Sequence, residues 1–332
     1  MYNSIFLFDS SVATGNLGDF IIMDAVQKQL NNIFPNSYFI NTTTHDTIGK
    51  EAKMLQEEAD YSFIGGTNLL TDRFKGRNRA QWKYGLRDMS VQGSIGVGVG
   101  WQSYARYNRI IDIPLKYAQK LIYSKALSHS YLHSVRDSYT QKRLSELGID
   151  SINTACVTMW DLTPELLGSI PTKKADTVVT TITNYCNTPE YMQAYKELME
   201  ILLANYSHVK LWIQAKDDVI LFHNLDLKNA NKVEFISPNL PAYDLTLNDE
   251  VDYIGTRLHA GIRALQHGKR TLIVELDNRA HEIGKDTNLL TVDFHDINQI
   301  SNFINTDQVM DIHVPFDNIN KWKAQFTDNK KF

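Results

Sequence analysis

Short apolar runs alternate with helix-patterned stretches along nearly the whole chain, and the alternation runs through twice. In the first half SIFLFD (4–9), SYFIN (37–41), YSFIGG (61–66), SIGVGVG (94–100) and YLHSVR (131–136) read as strands. Helical spacing covers 18–34, 113–128 and 137–148, where Ser138 and Gln141 form a capping box and Gly148 supplies the stop. The pattern breaks over WDLTPELLGSIPTKKAD (160–176), which reads as a linker, and then restarts. Further strands fall at 177–182, 209–214, 232–237, 251–255, 270–276 and 289–294, with a helix over 189–204 and a terminal helix over 317–329. Strands that alternate with helices build a parallel sheet covered on both faces. The expected fold class is α/β, with two Rossmann-like doubly wound parallel-sheet domains, 1–165 and 166–332.

A length of 332 residues suits two such domains, and 43% hydrophobic content provides a core for each. Two cysteines, Cys156 and Cys186, form no disulfide framework, which fits a reducing compartment. The start MYNSIFLFDSS lacks the basic region of a secretory signal, and no apolar run approaches the roughly 18 residues of a membrane span. A cytoplasmic protein is expected. The net charge is −4, yet residues 73–143 hold 14 Lys and Arg against three acids. The rest therefore holds 20 basic against 35 acidic residues. The block carries no nucleic-acid motif, so its expected partner is a phosphorylated small molecule or a lipid headgroup, with a solvated basic face as the alternative.

Ligands of open parallel sheets bind beyond the carboxyl ends of strands, so residues there are the first candidates. TGNLGD (14–19) follows the first strand. Gly15 and Gly18 permit close backbone approach, Asn16 lies between them, and Asp19 can cap the next helix, whose free amides suit an anion. A purely structural turn would use the same residues. IGGTNL (64–69) follows another strand, with Gly65 and Gly66 allowing close passage and Thr67 and Asn68 able to bond hydroxyls, or serving only as a turn. In SVRDS (134–138), Arg136 ends a strand and can fork onto a carboxylate or phosphate, or pair internally with Asp137.

The densest signal is DYIGTRLHAGIRALQHGKRTLIVELDNRAHEIGKD (252–286). Thr256 is the expected N-cap, with Arg257, Leu258 and His259 in the first turn. Leu258, Ile262 and Leu265 give the buried stripe, and His259 stands off it. The positive end of a helix favours neutral imidazole until an anion binds beside it, a competition that suits proton transfer. Asp277 and Arg279 lie just past the next strand. No HxH, HExxH or clustered-carboxylate spacing calls for a metal.

In combination, GNLGD, GG, VRDS and YIGTRLHAGIRALQHG resemble the polysaccharide pyruvyl transferase family, in order and spacing, from the first strand to about Asp286. The resemblance implies two Rossmann-like domains in a GT-B-like arrangement, the first on the acceptor side and the second on the donor side. It implies phosphoenolpyruvate as donor substrate, no cofactor, and a saccharide acceptor whose product is a pyruvate ketal. A lipid-linked acceptor would give the block 73–143 a role at the inner membrane face. Arg136, Arg257 and His259 match the family's motifs. Arg279 departs from them, because members often carry lysine at that place after an aspartate two residues earlier. Arg136 and Arg279 are expected to clamp the donor, Arg257 to join them or orient the loop, and His259 to move the proton. Two alternatives remain: a nucleotide-sugar transferase of the same architecture, and a non-catalytic glycan- or phosphate-binding relative.

Overall fold

The computed structural model describes residues 2–72, 81–84, 93–102, 104, 113–296 and 298–327. Of the basic block 73–143, residues 73–80, 85–92, 103 and 105–112 lie outside the described residues. The chain divides into two compact units. One comprises Met1–Thr14, Ile22–Trp160 and Pro315–Phe332, the other Gly15–Ile21 and Asp161–Val314.

The first unit runs β1 (Asn3–Asp9), α1 (Leu17–Ile33), β2 (Ser37–Thr43), α2 (Lys50–Glu58), β3 (Tyr61–Gly65), β4 (Ile95–Val97), α3 (Ile113–Ala126), β5 (His133–Val135), α4 (Ser138–Glu146) and β6 (Ser151–Asn153). Its main sheet has the order β2-β1-β3-β4, all parallel, and β5 pairs with β6 alongside. Six of the seven residues of β1 are buried, as a strand covered on both faces requires. Gly66 lets the chain run on beside β4, since a Cβ there would sit 2.4 Å from the Gly98 carbonyl oxygen. Helix α4 is capped by Asp137, which accepts from Thr140 N, and not by Ser138 as the capping-box spacing predicted.

His133 is fully buried at the start of β5. Its Nδ1 accepts from Gly96 N at 2.9 Å, so Nε2 carries the proton toward the Ser128 carbonyl at 2.8 Å. Burial pushes its pKa from 6.5 down to about 4. Between these values the unfolded chain binds a proton that the folded chain refuses, so stability falls as pH drops through that window. The expected total loss is ~3 kcal/mol. Urea unfolding at pH 7.5, 6 and 5 measures it, and a pH-independent stability across this range would remove His133 from the account.

The second unit contains α5 (Pro164–Ser169), β7 (Thr177–Thr180), α6 (Pro189–Asn205), β8 (His208–Trp212), α7 (Asp218–Asn224), β9 (Val233–Ile236), α8 (Leu240–Thr246), β10 (Val251–Gly255), α9 (Leu258–Gln266), β11 (Thr271–Glu275), α10 (Asn278–Thr287), β12 (Thr291–Asp293) and α11 (Asn298–Asn305). The strand order is β12-β11-β10-β7-β8-β9, all parallel. Counted from β7, this is the Rossmann order 3-2-1-4-5-6. The winding reverses between β7 and β10, and that reversal is where such sheets receive ligands.

The final helix, α12 (Phe316–Thr327), groups with the first unit. Its Trp322 and Phe326 explain why. Phe326 packs 5.5 Å from Phe34 and from Phe63, while Trp322 meets Trp160 at 5.6 Å and donates from Nε1 to the Leu132 carbonyl. Large aromatics of this kind gain most by burial, and their partners lie in the first half of the chain. The short segment Gly15–Ile21 goes the other way, bound to the second unit through Leu17 N and the Gln214 carbonyl.

Candidate functional site

The pocket of interest lies in the second unit at the strand-order reversal. Asn16, Tyr185, Gln214, Thr256, Arg257, Leu258, His259, Leu276, Asp277 and Arg279 are among the residues lining it, and its cavity volume is about 20 Å³. That is room for a water-sized group. The lining comes from segments that follow β7, β8, β10 and β11, together with the turn before α1.

Strand β10 delivers the central residues. Gly255 ends it where a Cβ would lie 2.6 Å from Thr181 Oγ1, so the strand can close on β7 only with glycine there. Thr256 was the predicted helix cap, but the strand keeps it. Its N and Oγ1 both donate to the Thr181 carbonyl, and Oγ1 meets Thr183 Oγ1 at 2.8 Å. The cap position passes to Arg257, in extended backbone and without a side-chain cap. Helix α9 then starts at Leu258, with His259 in its first turn and 6% exposed. Gly261 lets this helix lie against the sheet, because a Cβ there would meet Ile273 Cγ1 at 2.7 Å.

Arg257 is held rather than free. Its Nη2 lies 2.7 Å from both carboxylate oxygens of Asp218, and its Nε donates to the Ile182 carbonyl at 3.3 Å. Asp218, 1% exposed, also accepts from Asn184 N and Ala215 N. Arg279 is held likewise. Asp277 caps α10 by accepting from Arg279 N, and the same carboxylate takes Arg279 Nε at 3.0 Å and Nη2 at 2.6 Å. Burial works against the charge of Arg279, but Asp277 and Tyr185 outweigh it and keep the guanidinium protonated. Tyr185 links the two arginines. Its ring faces the Arg257 guanidinium at 5.3 Å, and its hydroxyl accepts from Arg279 Nη2 at 2.6 Å. Among the described residues, none of these bonds uses Nη1 of either arginine. The neighbouring Cys186 is a protonated thiol, because burial first and Asp277 next push its pKa up.

The GNLGD turn reaches the same place. Asn16 lines the pocket, and its Oδ1 accepts from Gln214 Nε2 at 2.8 Å and from Gly18 N at 3.2 Å. A Cβ on Gly18 would meet Gln214 Nε2 at 2.8 Å, so glycine leaves that amide in place on Asn16. Asp19 is near enough to add to the raised pKa of Arg279. Gly15 has open space around its Cβ position.

The other candidates lie in the first unit and do not line this pocket. Arg136 is 1% exposed, with Nε on Asp137 at 2.9 Å and Nη2 on the Trp101 carbonyl at 3.2 Å. This is the internal ion pair with Asp137, and Gly100 makes room for it, since a Cβ there would overlap the guanidinium. Gly65 and Gly66 serve packing against Met23 and Gly98. Thr67 and Asn68 are buried, with Thr67 Oγ1 bonded to Gln81. Sequence reasoning missed Asp218, Tyr185 and Gln214. Their signal was position alone: each follows a strand of the second set, in QAKDD or TNYCN.

The polysaccharide pyruvyl transferase family model matches residues 16–278, which spans the Asn16 turn, Tyr185, Asp218 and the Arg257–His259 segment. The chain belongs to the polysaccharide pyruvyl transferase family. Membership supports pyruvyl transfer as the general class of its chemistry. No curated protein sequence matches the chain significantly. Among solved structures, the S. aureus MnaA–UDP co-structure is similar over 99% of this chain and 98% of that one, with 12% identity and a TM-score of 0.54. A putative UDP-N-acetylglucosamine 2-epimerase from Listeria monocytogenes is similar over 99% and 97%, with 12% identity and a TM-score of 0.50. Both have the GT-B fold, and at this identity the likeness speaks for the fold alone.

Proposed function

We propose that this chain transfers the pyruvyl group of phosphoenolpyruvate to two neighbouring hydroxyls of a saccharide, forming a cyclic ketal and releasing phosphate. The observation that carries this reading is the convergence of Arg257, His259 and Arg279 on one strand-end pocket in a chain of this family. The donor bears a carboxylate and a phosphate, and fixed guanidinium groups suit both. Arg257 and Arg279 are already oriented by Asp218 and Asp277, so they would present their remaining edges without reorganising.

His259 gives a proton to the methylene carbon of the donor, leaving an electron-poor C2. One sugar hydroxyl attacks C2 and its proton returns to the imidazole. The C2–O bond to phosphate then breaks with its electron pair, and the second hydroxyl closes the ring by attack on C2, its proton passing to the departing phosphate. The chemistry asks for no cofactor and no metal.

Purified protein incubated with phosphoenolpyruvate and a panel of free and lipid-linked glycans should release phosphate with at least one acceptor. Protection against heat by a sugar nucleotide but not by millimolar phosphoenolpyruvate would overturn the donor and favour nucleotide-sugar transfer. Donor binding without turnover on any acceptor would instead favour a binding protein.

A further inference from the structure

Helix α3, IPLKYAQKLIYSKA, holds three lysines and no acid. Its inward side is firmly placed. Gln119, Ile122, Tyr123 and Ala126 are buried, Gln119 Nε2 donates to Asp72 Oδ1 at 2.9 Å, and the Tyr123 hydroxyl bonds Thr71 N at 2.7 Å. Its outward side is the unusual one. Ile113 is 47% exposed, Tyr117 74% and Leu121 47%. These positions are four apart, so each steps about 40° round the helix from the last and they form one ridge about 12 Å long. Lys116 and Lys120, both exposed, border the ridge on one side, and exposed Lys125 borders it on the other. An apolar stripe between cationic edges suits the boundary between anionic headgroups and acyl chains, where tyrosine is at home and lysine stems reach outward to phosphate. The sequence block 73–143, to which α3 belongs, holds 14 basic residues against three acids and has the matching sign. Among the described residues no helix is long and apolar enough to cross a membrane.

We propose that the Ile113–Tyr117–Leu121 face of α3, with its flanking lysines, docks peripherally on an anionic lipid bilayer. A surface-held enzyme would meet an acceptor carried on lipid, but the proposal stands on the helix face alone.

The test is co-sedimentation of the full chain with vesicles of phosphatidylcholine containing about a third phosphatidylglycerol, and with phosphatidylcholine alone. Binding to the anionic vesicles should be at least tenfold stronger and should weaken as salt rises. Ile113→Ser/Tyr117→Ser/Leu121→Ser and Lys116→Glu/Lys120→Glu/Lys125→Glu should each lower partition about tenfold or more. The control Lys173→Glu/Lys228→Glu/Lys232→Glu, at exposed lysines of the second unit, makes the same charge change and should lower it less than twofold. Should the serine triple melt low, the single Tyr117→Glu carries the test. No binding of the parent, or equal loss in the control, overturns the proposal. So does a dimer in solution that the serine triple dissolves, because the face would then belong to a second copy. Vesicle binding is read without donor or turnover, so its outcome and that of the phosphate-release assay are independent.

Discussion

Asp218→Ala is expected to lower the stability of the second unit by ~3–5 kcal/mol, the usual consequence of stripping one partner from a buried ion pair. The carboxylate is 1% exposed and takes both bonds from Arg257 Nη2, together with Asn184 N and Ala215 N. Alanine leaves a nearly buried guanidinium and two backbone amides without their acceptor. Asp218→Asn keeps an oxygen for the amides and should cost less. The double variant Asp218→Asn/Arg257→Met removes the stranded charge as well, and should be more stable than Asp218→Ala alone. Calorimetry of the parent, Asp218→Asn, Arg257→Met and the double variant gives the cycle, with Asp218→Ala measured beside them. If Asp218→Ala melts within a degree or two of the parent, the pair is not what fixes the β10–α9 turn.

That result bears on how much of the site a single sequence can hold. The alternation of strands and helices was legible because burial on both faces of a parallel sheet writes itself into consecutive residues, and VDYIG was read to its bounds as β10. The Arg257–His259 turn was legible for the same reason. Caps were less so. Thr256 and Ser138 have the chemistry of caps, but the Thr256 hydroxyl is taken by the Thr181 carbonyl just after β7, 75 residues earlier, and the Asp137 side chain reaches Thr140 N first. The partners of the arginines were not legible at all. Asp218 lies 39 residues before Arg257, and Tyr185 lies 94 before Arg279, each beyond the end of a strand one removed in the sheet, which only the sheet order brings near. Arg136 illustrates the converse. Its adjacent aspartate was visible, but the space for the pair comes from Gly100, in another segment.

The arginines and the histidine take separate parts in the proposed reaction. Arg257 and Arg279 are each tied to a carboxylate and hold charge in place, whereas His259 is the imidazole that lines the pocket beside them. His259→Gln and His259→Ala are therefore expected to lower kcat for phosphate release by about 10²–10⁴, the range for loss of a general acid–base group, while donor affinity changes only a few-fold. Arg279→Lys should do the opposite. It trades a planar fork for a point charge and gives up part of the Asp277 and Tyr185 contacts, so KM for the donor should rise with little change in kcat. The pH profile is the discriminating readout, because removing His259 should abolish one limb of the kcat dependence and a merely structural role would leave both limbs in place. A His259→Ala protein with the parent's kcat and pH profile would leave the arginines as the donor clamp and pass the proton transfer to the substrate's own phosphate or to solvent.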